Sequence, residues 1–319
     1  MRPYYPQVNL GSLCGLFGKT RQAWYKQQKA DQQQSLDEAI IIKRVQEIRM
    51  QMPRLGTRKL YYLLTETLAH HDIKIGRDRL FDLLADCGML VRRRKRRKVA
   101  TTDSDHPYKK YPNLIKDQEI TYPNQLWVSD ITYLSLAGMQ FCYLSLITDA
   151  YSRKIVGYYL YPTLQKEGAV KALEMAFSNC AKVIKDKLIH HSDRGVQYCS
   201  KDYIDLLNDN KVAISMTEKG DPYENAIAER VNGILKSEFA LARQFNNYEE
   251  AASAVTAAIQ IYNHQRPHAS CNYLTPEQAA TQNGVLPARW KKRKKPDCKP
   301  KSGLQPAIVN FKQDYLTNV

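Results

Sequence analysis

Most of the signatures of secreted, membrane-embedded or zinc-held proteins are missing from these 319 residues. The seven cysteines, Cys14, Cys87, Cys142, Cys180, Cys199, Cys271 and Cys298, are odd in number, scattered and never spaced C-x-x-C. Reduced thiols serving as small core residues are expected, not a disulfide framework. His70-His71 and His190-His191 are adjacent pairs without cysteines at zinc-finger spacing, which speaks against structural zinc. No apolar run reaches the ~18 residues of a membrane span, and Met1-Arg-Pro-Tyr-Tyr-Pro6 lacks a signal-peptide core. A soluble chain of the cytoplasm is expected.

Acidic residues are scarce only at the two ends. Residues 1–110 hold 23 Lys and Arg against 11 Asp and Glu, and residues 286–319 hold 9 against 2, whereas residues 111–285 hold 16 against 19. Two basic arms flanking a slightly acidic centre suggest arms that neutralise phosphates and a central domain that does chemistry.

Residues 1–30 read as a helix-turn-helix. Leu10, Leu13, Leu16 and Phe17 lie at helical spacing, Gly18 turns the chain, and Thr20 caps a second helix that shows Arg21 and Lys26 outward. A plain packed hairpin fits that pattern equally well. A helical module follows over residues 31–91. Its apolar periodicity predicts helices over Ser35–Met52, stopped by Pro53, then Thr57–Leu68 and Arg77–Cys87, ended by Gly88. Arg58, Lys59, Arg77 and Arg79 are expected to join Arg21 and Lys26 as DNA contacts. A linker over 92–124 begins with seven consecutive cations, Arg92, Arg93, Arg94, Lys95, Arg96, Arg97 and Lys98, and backbone phosphate contact is favoured over a merely solvated run. The basic tail, 286–319, reads equally as accessory phosphate contact or as a solvated end.

Between these arms, over 125–285, the texture changes to strands. Leu126–Leu134, Gln140–Thr148 and Lys154–Tyr161 form a three-strand run joined by hairpins, followed by a helix over Lys166–Val183 and a strand over Lys187–His191. A helix over Lys201–Asn208, a strand over Val212–Met216 and a final helix complete the domain. That order is the α/β, ribonuclease-H-like one, with a mixed five-stranded sheet behind all-α helix-turn-helix modules.

Three carboxylates stand out in this domain. Asp130 projects from the first strand, Asp193 follows the fourth, and Glu229 comes after 35 further residues, on the final helix. Three carboxylates converging on one point repel each other, and divalent cations between them are the natural way to keep all three ionised. Asp221, Pro222 and Glu224 suit the start of the final helix. Along it Asn225, Glu229, Asn232 and Lys236 fall on one polar face, and Asn225, Asn232 and Lys236 are expected to meet DNA. Glu238 lies off that stripe and Glu224 is occupied by capping, which leaves Glu229 as third ligand. Asp149 reads as a turn former or a partner of Arg153. His191 either orders the Asp193 turn or is a satisfied structural imidazole.

At these residues the chain resembles the DDE transposases of the insertion-sequence-three family, whose catalytic domain is similar to that of retroviral integrases. The matching motifs are Trp127-Val-Ser-Asp130-Ile-Thr-Tyr133, His191-Ser-Asp193-Arg-Gly-Val-Gln-Tyr198, and Gly220-Asp-Pro-Tyr-Glu-Asn-Ala-Ile-Ala-Glu229 with Leu235-Lys236-Ser-Glu238. Tyr262-Asn-His-Gln-Arg-Pro-His268 with Leu274-Thr-Pro-Glu277, and upstream Gly56-Thr-Arg-Lys-Leu60, extend the likeness. The resemblance implies that Asp130, Asp193 and Glu229 bind two Mg²⁺ ions, replaceable by Mn²⁺, and that Lys236 touches transposon-end DNA. It implies breakage and rejoining of phosphodiester bonds at terminal inverted repeats and target DNA, by a homodimer or higher oligomer on the bacterial nucleoid. Glu224 stands where the family often has Asp. No heptad zipper is visible, so the chain resembles a downstream reading frame, with an upstream-frame fusion partner implied. The competing readings are a ribonuclease-H-type nuclease, which would not need the helical modules, and a DNA-binding regulator, which would not need the acids.

Overall fold

The computed structural model describes residues 7–91, 106–116, 118–180, 187–218 and 225–287. The cations 92–98, the helix-start residues 221–224 and the tail from 288 lie outside these. Helix α1 (Leu10–Leu16) is capped by Asn9, whose side chain accepts from Gly11 N, and α2 (Arg21–Gln51) by Thr20, which accepts from Ala23 N. The helix capped by Thr20 and the helix over Ser35–Met52, read as separate, are one, because α2 runs unbroken for 31 residues. The intervening stretch holds neither Gly nor Pro, and Gln27–Asp31, Gln33–Asp37 and Gln34–Glu38 hydrogen bonds of 2.7–2.9 Å stitch successive turns. The expected boundary between residues 30 and 31 therefore falls inside a helix.

Helices α3 (Thr57–His70) and α4 (Arg77–Asp86) pack Leu60, Leu64, Leu80 and Leu84 against Ile41, Val45 and Ile48 of α2. Gly88, at φ +65°, follows α4 in the left-handed conformation that ends helices.

The α/β part opens with β1 (Leu126–Leu136), β2 (Phe141–Asp149) and β3 (Ile155–Tyr161). It continues through α5 (Lys166–Cys180), β4 (Ile189–Ser192), α6 (Lys201–Asp209), β5 (Ala213–Met216), α7 (Ala226–Glu238), β6 (Gln244–Phe245) and α8 (Tyr248–His264). The strands lie in the order β3-β2-β1-β4-β5, antiparallel among the first three and parallel from β1 to β4 to β5. This is the expected mixed five-stranded sheet of the ribonuclease-H-like core, extended by two-residue β6 beside the end of β1.

Alternation along the strands divides the core. Trp127, Ile147, Leu173 and Phe177 pack with α5 and α6 on one face, while Leu134, Leu144, Leu146, Val231, Leu235 and Ile259 pack with α7 and α8 on the other. That second cluster runs without interruption into α2, α3 and α4, so the helical module and the sheet share one core. On the first face a Cβ added to Gly157 would stand 2.2 Å from the Ala172 carbonyl oxygen, so only glycine lets α5 lie this close to β3. Among the described residues no helix is long and apolar enough to cross a membrane.

Candidate active site

The parallel pairing of β1 with β4 ends at Val128 opposite His191. Two residues further along each strand come Asp130 and Asp193. Asp193 lies just past the end of β4, and its Oδ1 accepts from Gly195 N at 3.0 Å. A Cβ on Gly195 would come within 3.0 Å of the same oxygen, so glycine permits the backbone to close on this carboxylate. Both acids line one cleft, together with Tyr133, Tyr143, Leu164 and Gln197.

Helix α7 crosses β1 with its polar stripe turned toward the strand. Asn225 Nδ2 donates to the Ser129 carbonyl oxygen at 2.9 Å, Asn232 Nδ2 donates to Asp130 Oδ2 at 2.7 Å, and Lys236 Nζ stands 4.1 Å from the centre of the Tyr133 ring. Glu229, exposed in the first turn, lies between the two asparagines in the sequence. Burial above all, and then the charges of Asp193 and Glu229, push the Asp130 carboxyl up to about 7, against the opposing hydrogen bond from Asn232. Burial likewise lowers the Lys236 ammonium, with the charge of Asp130 working the other way. The donors at Asp130, Asp193 and Glu229 are hard carboxylate oxygens, the chemistry that suits Mg²⁺ or Mn²⁺. As the side chains lie, no three acid, His or Cys groups among the described residues are close enough together to hold an ion.

Several residues expected at DNA are engaged elsewhere. Asn225 and Asn232 are buried against β1, because a helix lying on a strand must satisfy that strand's polar groups. Lys59 Nζ is 2.8 Å from Glu238 Oε1, and Arg266 grips the same carboxylate through Nε at 2.8 Å and a second nitrogen at 2.9 Å. Burial alone would raise the Glu238 carboxyl, but Arg266 and Lys59 hold it below its usual range. Arg54 N also donates to the Glu238 carbonyl oxygen at 3.0 Å. The helical module therefore grips the last residue of α7, and Lys59 belongs to that grip. Arg21, Lys26, Arg58, Arg77 and Arg79 are exposed, with Arg77 paired to Asp78 and Arg79 to Glu38.

Asp149 organises a turn, accepting from Asn124 N and Ser152 N at 2.9 Å each. Arg153 turns away to the Ala150 carbonyl and Ser270. His191 Nδ1 meets Ser215 Oγ at 2.8 Å, one strand over. Sequence reasoning missed His190, whose Nε2 lies 2.6 Å from Ser129 Oγ and 2.9 Å from Tyr203 Oη beneath the Asp130 strand. It also gave no role to buried Arg266, although the residue stands inside the quoted Tyr262–His268 motif.

Two family models, both described as integrase core domain, match residues 121–222 and 210–276. An insertion element IS600 uncharacterized 31 kDa protein of Shigella sonnei is 37% identical over 269 residues, 83% of this chain and 96% of that protein. Transposase InsF for insertion sequence IS3fB of Escherichia coli K12 is 36% identical over 162 residues, 50% of this chain and 55% of that one. The HTLV-2 integrase catalytic core domain in complex with magnesium superposes with a TM-score of 0.40 at 19% identity, over 50% of this chain and 97% of that one. With a near-full-length relative in an insertion element and an integrase core across its sheet, the chain belongs to the insertion-sequence-three family of DDE transposases.

Proposed function

We propose that this transposase binds the terminal repeats of its insertion sequence and, with Mg²⁺ held by Asp130, Asp193 and Glu229, cleaves DNA strands and joins them to a target. The observation that carries this reading is geometric: Asp130 on β1 and Asp193 just past β4 line one cleft, Asn232 of the Glu229 helix bonds Asp130 Oδ2 at 2.7 Å, and the charges of Asp193 and Glu229 oppose that of Asp130. A site that repels its own charges in this way calls for cations. Bound divalent ions lower the pKa of a water or 3′-hydroxyl and stabilise a leaving 3′-oxygen. The chain's own residues supply the frame: Asn232 fixes the Asp130 carboxylate, Asn225 fixes the start of α7, and Lys236 offers a phosphate its charge at the far end of the stripe. The exposed cations of α2, α3 and α4 supply phosphate contacts outside the cleft, and the run Arg92–Lys98 adds its positive charge to the affinity for DNA. Assembly as a dimer or larger complex on DNA, with an upstream-frame partner, completes the reading.

The test incubates purified protein with Mg²⁺ and labelled element ends. Wild type is expected to transfer strands and Glu229→Gln to lose transfer by at least a hundredfold while still binding ends. Transfer that survives in Glu229→Gln sinks the triad.

A further inference from the structure

The end of the sheet beside the cleft carries a row of tyrosines that the roles above do not use. Tyr133 on β1 stands opposite Tyr143 on β2, and Tyr143 stands opposite Tyr161 on β3. Directly opposed side chains leave a sheet from the same face, so one aromatic row crosses three strands. Phe141, one pair further out, meets the Tyr133 ring edge-on at 5.4 Å. Helix α5 covers this face only as far as Gly168, where an added Cβ would lie 2.9 Å from Tyr161 Cβ. Past that point the face opens, with Phe141 46% exposed and Tyr133 and Tyr143 half-buried.

Cross-strand aromatic pairs stabilise a sheet by roughly 0.2–1 kcal/mol, and that accounts for their being there. It does not account for the cations at both ends of the row. Lys236 Nζ sits 4.1 Å over Tyr133, and Lys171 Nζ sits 4.8 Å from the Tyr159 ring centre and 5.7 Å from that of Tyr161. Nor does it account for position, since Tyr133 and Tyr143 line the same cleft as Asp130 and Asp193. Rings that accept any base, flanked by charges that accept phosphates, are the combination that holds single-stranded nucleic acid.

We propose that Tyr133, Tyr143 and Tyr161 form a stacking track for unpaired nucleotides of the DNA strand that enters the cleft. The track rests on the transposase reading and adds to it that the DNA is opened beside the scissile phosphate. It favours a polyanion over a second protein chain because Lys236 and Lys171 bracket it.

The test compares, by anisotropy with the full chain, element ends that are fully paired and ends carrying three unpaired terminal nucleotides. The difference cancels contacts made by the helical module and basic arms. Wild type is expected to prefer the unpaired end. Tyr143→Val and Tyr133→Val, both strand-compatible, should each lose about tenfold in affinity for the unpaired end, with little change for the paired end, and Tyr143→Phe should keep the preference. Glu229→Gln should keep it too, because stacking needs no chemistry; strand transfer surviving in that variant overturns the triad and leaves the track standing. Valine variants that discriminate as wild type does, or that change only the oligomeric state, overturn the track.

Discussion

Asn232 Nδ2 lies 2.7 Å from Asp130 Oδ2, joining the helix of Glu229 to the strand of Asp130. A hydrogen bond to a charged group contributes roughly 1.5–3 kcal/mol. Asn232→Leu is therefore expected to lower the single-turnover strand-transfer rate about 10- to 100-fold with end affinity unchanged. Asn232→Asp should lose more, because it sets a fourth carboxylate against Asp130.

The raised Asp130 carboxyl makes a pH-dependent prediction. Its usual value is 3.8 and its folded value about 7, so between these the folded chain keeps a proton that the unfolded chain has released. Stability contributed at this site falls as pH rises from about 4 to 7 and is level above. In metal-free melts Asp130→Asn should gain on wild type across that window and hold the gain above it. Magnesium should raise the wild-type melting temperature at pH 8 and progressively less below pH 7, where the proton competes with the ion. An equal magnesium effect in Asp130→Asn contradicts the ligand assignment.

The grip on Glu238 can be taken apart one charge at a time. Glu238→Gln leaves Arg266, whose side chain is 1% exposed, facing Lys59 without a counter-charge, and should cost about 3–5 kcal/mol in denaturant unfolding. Lys59→Met leaves the Arg266–Glu238 pair whole and should cost about 1 kcal/mol, with affinity for element ends unchanged. Weaker end binding at full stability would return Lys59 to the DNA surface.

Acid should act through His190. Burial first, then the neighbouring His191, holds its imidazole down to about 3 against a usual 6.5. The unfolded chain takes up a proton in that interval and the folded chain does not, so stability falls as pH drops from 6.5 toward 3. His190→Gln should be less stable at pH 7 but show a shallower fall in melting temperature between pH 6.5 and 4.

Local periodicity explains what could be read beforehand. Alternation along Leu126–Leu134 identified the strand of Asp130, and the polar stripe on α7 identified the face of Glu229, because both patterns repeat within a few residues. What the stripe touches was not legible. Asn225 and Asn232 read as surface groups, yet each is used by a strand about a hundred residues away in sequence. Lys59 and Glu238 are 179 positions apart, and no spacing rule reaches across that interval. The stretch joining the Thr20-capped helix to Ser35–Met52 carries no apolar periodicity, yet an exposed helix needs none when Gln–acid pairs support it. Two-residue β6 is too short to leave any pattern.

The continuity of α2 fixes more than a boundary. Its fully buried residues begin at Ile41, so the preceding turns form a hingeless rod of roughly 30 Å at 1.5 Å per residue. The angular position of α1 about the core is then a matter of helical phase. One residue added to the rod would swing α1 by about 100° around the axis, whereas seven would return it to nearly the same side, some 10 Å further out. Length changes in this segment are thus tolerable only in whole turns, wherever the facing of α1 matters.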